Sequence, residues 1–218
     1  MSKSTQLLSP APLPRPANGL LTSEEFLDWL QPGVHADLIA GEVFMHSPVN
    51  LRHANLLNFV DPLLRAYLEH EELGVFHREV VAVRLSLRDT FMPDLAYFTK
   101  LQAARFAEAH VPVTPTFVLE ALSPATAHTD TRRKFSACEH HGVQEYWILD
   151  PHKLAHRFYR RAGDMFEEFA IGAPRVDSAS IPGFWVKREW LNPDKLPAVS
   201  ACLSEILKQR KPRGRGGK

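Results

Sequence analysis

Two apolar strands with a helix between them constrain the fold of this chain more than any other feature. The stretch TFVLEALSPATAHTDTRRKF, residues 116–135, begins as an apolar strand, and QEYWILDP, residues 144–151, supplies a second buried strand. A helix is expected between them from about Asp130 to His141, and Gly142 would end it as glycines commonly end helices. Strands and helices are thus mixed, which predicts an α/β sheet covered by helices.

The segments on either side of this unit predict further short elements. TSEEFLDWL has Thr22 or Ser23 as a helix N-cap, acids in the first turn and apolar residues behind them. ADLIAGEVFMHS predicts two short strands about a turn at Ala40-Gly41, and HRFYRRAGDMFEEF predicts a hairpin around Gly163.

The middle of the chain predicts a long helix and a hairpin. Apolar residues recur at helical spacing over 51–68, but Pro62 interrupts them, so we expect either a kinked helix or two consecutive helices. In the stretch HREVVAVRLSLRDTFMPDLAYF, apolar and polar residues alternate, which predicts a strand. A turn is expected at residues 88–90, after which the chain should return as an antiparallel strand that carries Asp94. A further helix is expected over 100–110.

Composition favours one globular domain with an unpacked segment at each end. A chain of 218 residues that is 44% hydrophobic can bury a full core, which we place at 21–207. Residues 1–20 form a Pro-rich, unpacked arm, and residues 208–218, KQRKPRGRGGK, form a disordered tail with six Lys or Arg and no acid. Removing those six charges from the net +1 leaves −5 for the remainder. The tail either binds phosphates or only keeps the chain soluble.

This sequence lacks the motifs that are typical of several protein classes. Cys138 and Cys202 have no CxxC spacing, which disfavours a disulfide framework or a zinc site and suits a reducing cytoplasm. We find no signal peptide and no apolar run long enough to span a membrane, so no membrane partner is expected. Phosphate-loop, serine-hydrolase and HExxH motifs are absent from the sequence.

Two carboxylates in apolar strands suggest a site. Asp94 and Glu120 would be costly there unless paired, hydrogen-bonded or bound to a cation, and on neighbouring strands they could share one Mg²⁺. Lys134, on the following helix, is placed to reach back and assist phosphate chemistry. The alternative is structural: Asp94 starts a strand, Glu120 faces solvent and Lys134 covers a helix face. Spacing alone leaves both open.

Four motifs carry a resemblance that favours the first interpretation. GEVFMHSP, MPDLAYF, VLEALSPATAHTDTRRKF and HGVQEYWILDP, in this order and spacing, resemble the Uma-type family of restriction-endonuclease-like proteins within the PD-(D/E)xK nuclease superfamily. The resemblance spans roughly residues 20–190. It implies a restriction-endonuclease-like αβββαβ core, a mixed central sheet flanked by helices, in which Asp94 and Glu120 are metal ligands.

The motifs depart from the superfamily pattern at one position. Leu122 stands where the superfamily usually has its lysine, and Lys134 is the residue that matches the lysine of this family. Glu42 in GEVF matches an early acid that either completes the metal site or pairs with an arginine. His53 matches a histidine of the family that either acts in catalysis or caps and packs.

The resemblance implies an endonuclease that uses Mg²⁺ or Mn²⁺ to hydrolyse phosphodiester bonds in nucleic acid, above all in DNA, by in-line attack of an activated water. Two alternatives stay open: an inactive module with the same fold that binds nucleic acid or protein, and a hydrolase of small phosphate esters. The net negative charge of residues 1–207 argues against DNA as the substrate unless one face of the domain is locally basic. A homodimer is possible.

Overall fold

The computed structural model describes residue 12 and residues 19–46, 50–78, 81–107, 110–124 and 127–209. The arm predicted over 1–20 and the tail predicted over 208–218 lie almost wholly outside these residues. Within them, no helix combines the length and apolar character needed to cross a membrane.

The described residues form five α-helices and twelve strands. The helices are α1 (Ser23–Trp29), α2 (Leu51–His70), α3 (Lys100–Ala103), α4 (Phe135–His140) and α5 (Val199–Lys208). The strands are β1 (Ala36–Ile39), β2 (Glu42–Met45), β3 (Val75–Arg78), β4 (Val83–Arg84), β5 (Thr90–Phe91), β6 (Leu95–Phe98), β7 (Phe117–Ala121), β8 (Glu145–Leu149), β9 (Arg157–Ala162), β10 (Met165–Phe169), β11 (Arg175–Asp177) and β12 (Trp185–Lys187). A π-helical turn, Thr129–Lys134, runs directly into α4, and a 3₁₀ helix, Arg188–Leu191, follows β12.

A six-stranded mixed sheet forms the centre of the molecule. Its order is β10-β9-β8-β7-β6-β3, and only β7 and β8 run parallel, because a helical crossover joins them. A four-stranded sheet, β2-β1-β5-β4, and the β11–β12 pair complete the described strands. Along the chain, α2, β3, β6, β7, α4 and β8 follow the predicted order αβββαβ. The predicted fold class is confirmed.

Alternating residues of β7 pack against different layers. Phe117, Leu119 and Ala121 join the main core, to which α2 and α5 contribute. Val118 joins a second core on the other face, with Cys138 of α4. Side chains alternate between the two faces along a strand, so Glu120 shares the face of Val118 and points toward the helical crossover.

Pro62 lies inside a single helix, α2, so of the two alternatives left open for this segment the structure has one continuous helix. A proline removes the hydrogen bond to the carbonyl four residues earlier, which here belongs to Asn58. Both Pro62 and Asn58 are exposed, so water can satisfy that carbonyl while the opposite, apolar face of α2 packs on the sheet.

The strands on either side of Asp94 belong to two different sheets. The prediction of one returning strand through Asp94 is wrong, because β5 ends at Phe91 in the four-stranded sheet and β6 begins at Leu95 in the six-stranded sheet. Pro93 has no N–H to donate to a strand ladder, which favours a break at this point. Asp94 therefore lies where the two sheets diverge.

Other predicted boundaries vary in accuracy. Of the two residues considered as N-cap of the first helix, the structure has Thr22, which also forms a capping box with Glu25. The turn predicted at Ala40-Gly41 is confirmed, and both of its residues have positive φ. The helix expected over 100–110 is reduced to α3, because only its first turn is capped and regular. The crossover helix ends at the predicted glycine, Gly142, but its first part is a π-helical turn.

Candidate active site

Asp94 and Glu120 lie opposite each other across two antiparallel strands. The register of β6 with β7 pairs Leu95 with Leu119, so the next pair outward is Asp94 with Glu120. Residues directly opposite in an antiparallel pair project to the same face. The Ala121 N–H donates to Asp94 Oδ2 at 2.7 Å, and the Asp94 N–H lies 3.4 Å from Glu120 Oε2.

Lys134 reaches this pair from the end of the π-helical turn. Its Nζ atom lies 3.2 Å from Glu120 Oε1, 2.9 Å from Asp37 Oδ2 and 3.5 Å from Asp130 Oδ1. Lys134 is only 4% exposed, so these contacts are inside the protein. We call Lys134 together with Asp37, Asp94, Glu120 and Asp130 the Lys134 cluster.

Asp37 was not among the predicted site residues. It lies in β1, where its Oδ2 atom contacts both Lys134 and His46 Nε2, the latter at 2.8 Å. Its Oδ1 atom accepts the Met92 N–H at 2.7 Å, which ties β1 to the segment that presents Asp94. The signal was present, because an acid in the apolar run ADLI is the same pattern that drew attention to Glu120.

His53 adjoins the cluster on its Asp94 side. It lies in the first turn of α2, and its Nε2 atom is 3.7 Å from Asp94 Oδ1. Its backbone N–H donates to the side chain of the N-cap residue Asn50, which fixes the start of the helix. The structure therefore brings together four of the five predicted residues: Asp94, Glu120, Lys134 and His53.

Glu42 has a different environment. Its Oε2 atom lies 2.9 Å from the Arg133 guanidinium in a surface ion pair, and its side chain is 56% exposed. This was one of the two alternatives for Glu42. In the described part of the chain, the early acid that contacts Lys134 is Asp37, so we do not include Glu42 in the cluster.

The cluster holds more negative than positive charge, and the pKa values reflect this. Burial raises the pKa of Glu120 well above its ordinary value; Lys134 opposes this shift, and Asp94 reinforces it. Burial alone would lower the pKa of Lys134, but the carboxylates, Asp37 first, raise it well above its ordinary value. Burial alone would raise the pKa of Asp37, yet Lys134 and His46 hold it below its ordinary value.

The chemistry of this site suits one hard cation. Mg²⁺ commonly binds one or two carboxylates and keeps several waters, and Asp94 and Glu120 provide two carboxylates on one face. Burial raises the Glu120 pKa and the neighbouring carboxylates add to the shift, and a divalent cation beside Glu120 would favour its ionised form. The described residues contain no group of three or more His, Cys, Asp or Glu arranged to hold a metal. The residues therefore fit a two-carboxylate, partly hydrated ion.

Comparisons with known proteins identify the family and the fold. Residues 23–192 match the model of the Uma2 family, described as "Putative restriction endonuclease". The crystal structure of a putative nuclease belonging to DUF820 from Anabaena variabilis is similar, with a TM-score of 0.60 and 17% identity over 85% of this chain and 99% of that chain. At this identity the likeness shows a shared restriction-endonuclease-like fold. The chain matches none of the curated proteins with which it was compared.

Proposed function

Because this chain belongs to the Uma2 family of putative restriction endonucleases, we propose that it is a Mg²⁺-dependent endonuclease that hydrolyses phosphodiester bonds in DNA. The observation that carries the proposal is the convergence of Asp94, Glu120 and Lys134 on one face of the central sheet. Two carboxylates beside one ammonium group offer both a place for a metal ion and a fixed positive charge next to it.

Asp94 and Glu120 are the residues that would hold the ion. When bound, Mg²⁺ supplies Lewis-acid polarisation of a phosphate oxygen and a more acidic water. Mn²⁺ suits the same oxygen donors. Asp94 is the more accessible of the two residues, with a side chain 14% exposed against 4% for Glu120, so we place the substrate phosphate on the Asp94 side.

Lys134 would supply a preorganised charge. Hydrolysis forms a bond from the water oxygen to phosphorus and breaks the bond from phosphorus to the leaving oxygen, and negative charge grows on the phosphate oxygens in between. An ammonium group fixed in a water-poor site stabilises that charge without having to reorganise. Asp37 holds Lys134 in place at 2.9 Å and keeps it protonated, so Asp37 acts as a positioning residue.

The second candidate function is a binding module without catalysis. The observation that favours it is burial, because Glu120 is 3% and Lys134 4% exposed, as in an ion cluster that serves only the fold. The two functions differ in what a substitution that preserves shape would do. Glu120→Gln removes one charge and abolishes cleavage by an enzyme, whereas a binding module has no cleavage to lose.

The test is cleavage of supercoiled plasmid and of single-stranded DNA by the purified chain in Mg²⁺, in Mn²⁺ and in EDTA. Glu120→Gln is the active-site variant, and Glu42→Gln is the matched control, since it makes the same change in a surface acid. Calorimetric titration with Mn²⁺ provides a readout that does not depend on activity.

We expect metal-dependent nicking by the wild-type chain and by Glu42→Gln, and none by Glu120→Gln purified in the same way. Mn²⁺ binding should weaken in Glu120→Gln and persist in Glu42→Gln. If the folded wild-type chain bound Mn²⁺ but cut neither substrate, the endonuclease proposal would be refuted. DNA binding without cleavage would then support the binding module.

A further inference from the structure

A groove on the outer side of the crossover helix is not used by the proposed reaction. It has a volume of about 490 Å³ and lies between the end of β1, the π-helical turn and α4. Its lining includes Arg132, Arg133, His140 and His141, and Asp89 is the one acid among the described residues that line it. Positively charged and imidazole groups therefore dominate the polar lining.

Arg132 is the cation most available to a ligand. It is exposed, and its guanidinium forms no ion pair with any residue of the described chain. A guanidinium presents planar donors that match phosphate oxygens. An arginine that lines a groove and has no ion pair with the described residues is therefore suited to an external anion.

The other charges of the groove are fixed in place. The Arg133 guanidinium lies 4.6 Å from the centre of the Phe44 ring and pairs with Glu42 at 2.9 Å. His141 Nε2 lies 3.0 Å from Asp89 Oδ2, and the same carboxylate accepts hydrogen bonds from Ser86 Oγ and the Ala40 N–H. Asp89 is thus already engaged by three donors and repels an incoming anion less than a free carboxylate would.

The groove adjoins the Lys134 cluster. Arg132 and Arg133 immediately precede Lys134 in the π-helical turn, with the arginines exposed and the lysine buried. On the facing strand, Asp37 contacts Lys134, and Ile39, two residues further along β1, lines the groove. Two residues of a strand span about 7 Å.

We propose that this groove binds backbone phosphates of the nucleic acid on one side of the bond that is cut. The inference rests on the proposed function and extends it with a subsite that positions the substrate. It also offers a locally basic face to residues 1–207, whose net charge is −5. The ligand that we propose is a polynucleotide backbone. A free inorganic phosphate would make the same local contacts, and the experiment distinguishes the two by measuring both.

The experiment measures binding of the full-length chain to a fluorescent duplex in EDTA, where the proposed reaction does not occur. Arg132→Glu reverses the charge in the groove, and Arg105→Glu makes the same change at an exposed arginine that does not line it. Arg132→Ala is measured across a range of salt concentrations. Because Arg132 has no ion pair within the described chain, we expect both Arg132 variants to unfold at the wild-type temperature.

We expect Arg132→Glu to weaken binding by about tenfold at low salt and Arg105→Glu by less than about twofold. In Arg132→Ala, the slope of log affinity against log salt should become shallower by about 0.9, the value for one phosphate neutralised in duplex DNA. The inference is overturned if Arg132→Glu and Arg105→Glu weaken binding equally. It is also overturned if Arg132→Glu weakens binding of inorganic phosphate but leaves DNA affinity unchanged.

The two proposals fail in different ways. If the wild-type chain cuts DNA and Arg132→Glu binds it normally, the groove inference falls and the nuclease proposal stands. If the wild-type chain neither binds nor cuts any DNA, both fall. Metal-dependent cleavage by the wild-type chain together with weakened DNA binding in Arg132→Glu supports both.

Discussion

Replacing Lys134 by methionine should destabilise the protein as well as inactivate it. Methionine keeps the length of the side chain but removes the charge that balances Asp37, Glu120 and Asp130, whose oxygens lie 2.9–3.5 Å from Nζ. Removing one partner from a buried ion pair costs about 3–5 kcal/mol, because the remaining charge is left uncompensated. At about 2–4 °C for each kcal/mol in a domain of this size, the melting temperature should fall by roughly 6–20 °C.

The stability lost in Lys134→Met should depend on pH, and the buried carboxylates of the cluster determine whether the loss is larger at high or at low pH. Burial already raises the pKa of Glu120, and without Lys134 it rises further; the pKa of Asp37, which Lys134 holds below its ordinary value, rises as well. A carboxyl with a raised pKa holds its proton in the folded chain after the unfolded chain has lost it, so stability falls as pH increases above the unfolded value. In the wild type, the raised pKa of Lys134 keeps its stabilising effect intact until pH exceeds the ordinary lysine value. The deficit of Lys134→Met should therefore be larger at about pH 8 than at about pH 5.

The assay is urea unfolding followed by tryptophan fluorescence, in EDTA so that no metal replaces the missing charge. Lys153→Met is the matched control, because Lys153 is exposed and its side chain contributes no charge to the cluster. We expect the control to remain within about 0.5 kcal/mol of wild type at both pH values. Wild-type stability of Lys134→Met at about pH 8 would show that the carboxylates do not depend on this ammonium group, and the reasoning would be refuted.

Three further outcomes are expected. Glu42→Gln should retain cleavage and lose at most about 1 kcal/mol of stability, measured by plasmid nicking and urea unfolding, because its ion pair is on the surface. Glu145→Ala should lose at least about 2 kcal/mol in the same unfolding assay, since this buried carboxyl accepts hydrogen bonds from Trp147, Ser178 and Ser180. Deleting residues 210–218, which contain five Lys or Arg, should weaken DNA binding at low salt and flatten its salt dependence by about 0.7–0.9 for each phosphate that the tail neutralises in the full chain. An unchanged affinity and slope would make the tail a solubilising extension.

The sequence identified those site residues whose positions follow from local pattern and family motifs. Asp94 and Glu120 interrupt apolar segments, and Lys134 is the residue that matches the family's lysine where Leu122 departs from the superfamily pattern. The sequence did not identify Asp37, although it carries the same signal, because the motif GEVF directed attention to Glu42. The contact between Asp37 and Lys134 joins residues far apart in the chain, and only the packing of β1 against the crossover reveals it.

The errors in the fold prediction have similar causes. The lack of a donor at Pro93 could have indicated a break in the strand, but its assignment to two different sheets is a tertiary property. At Pro62 the sequence left open one helix or two, and the packing of the apolar face, which keeps α2 as one helix, decides between them. The C-terminal helix α5 was not predicted at all, although it contributes Cys202 and Ile206 to the main core.

Lys134 contacts residues of two different sheets, so partial unfolding of one sheet can remove part of its anchoring. Glu120 belongs to the six-stranded sheet and Asp94 directly precedes its strand β6, whereas Asp37 belongs to the smaller four-stranded sheet. Two strands of that smaller sheet, β4 and β5, have only two residues each, so it should open at a lower free energy than the main sheet. We expect amide exchange in β1 to be faster than in β7, and activity to decline in mild denaturant before the main sheet unfolds. The chain would then pass through a state that still binds metal but no longer holds its lysine in place.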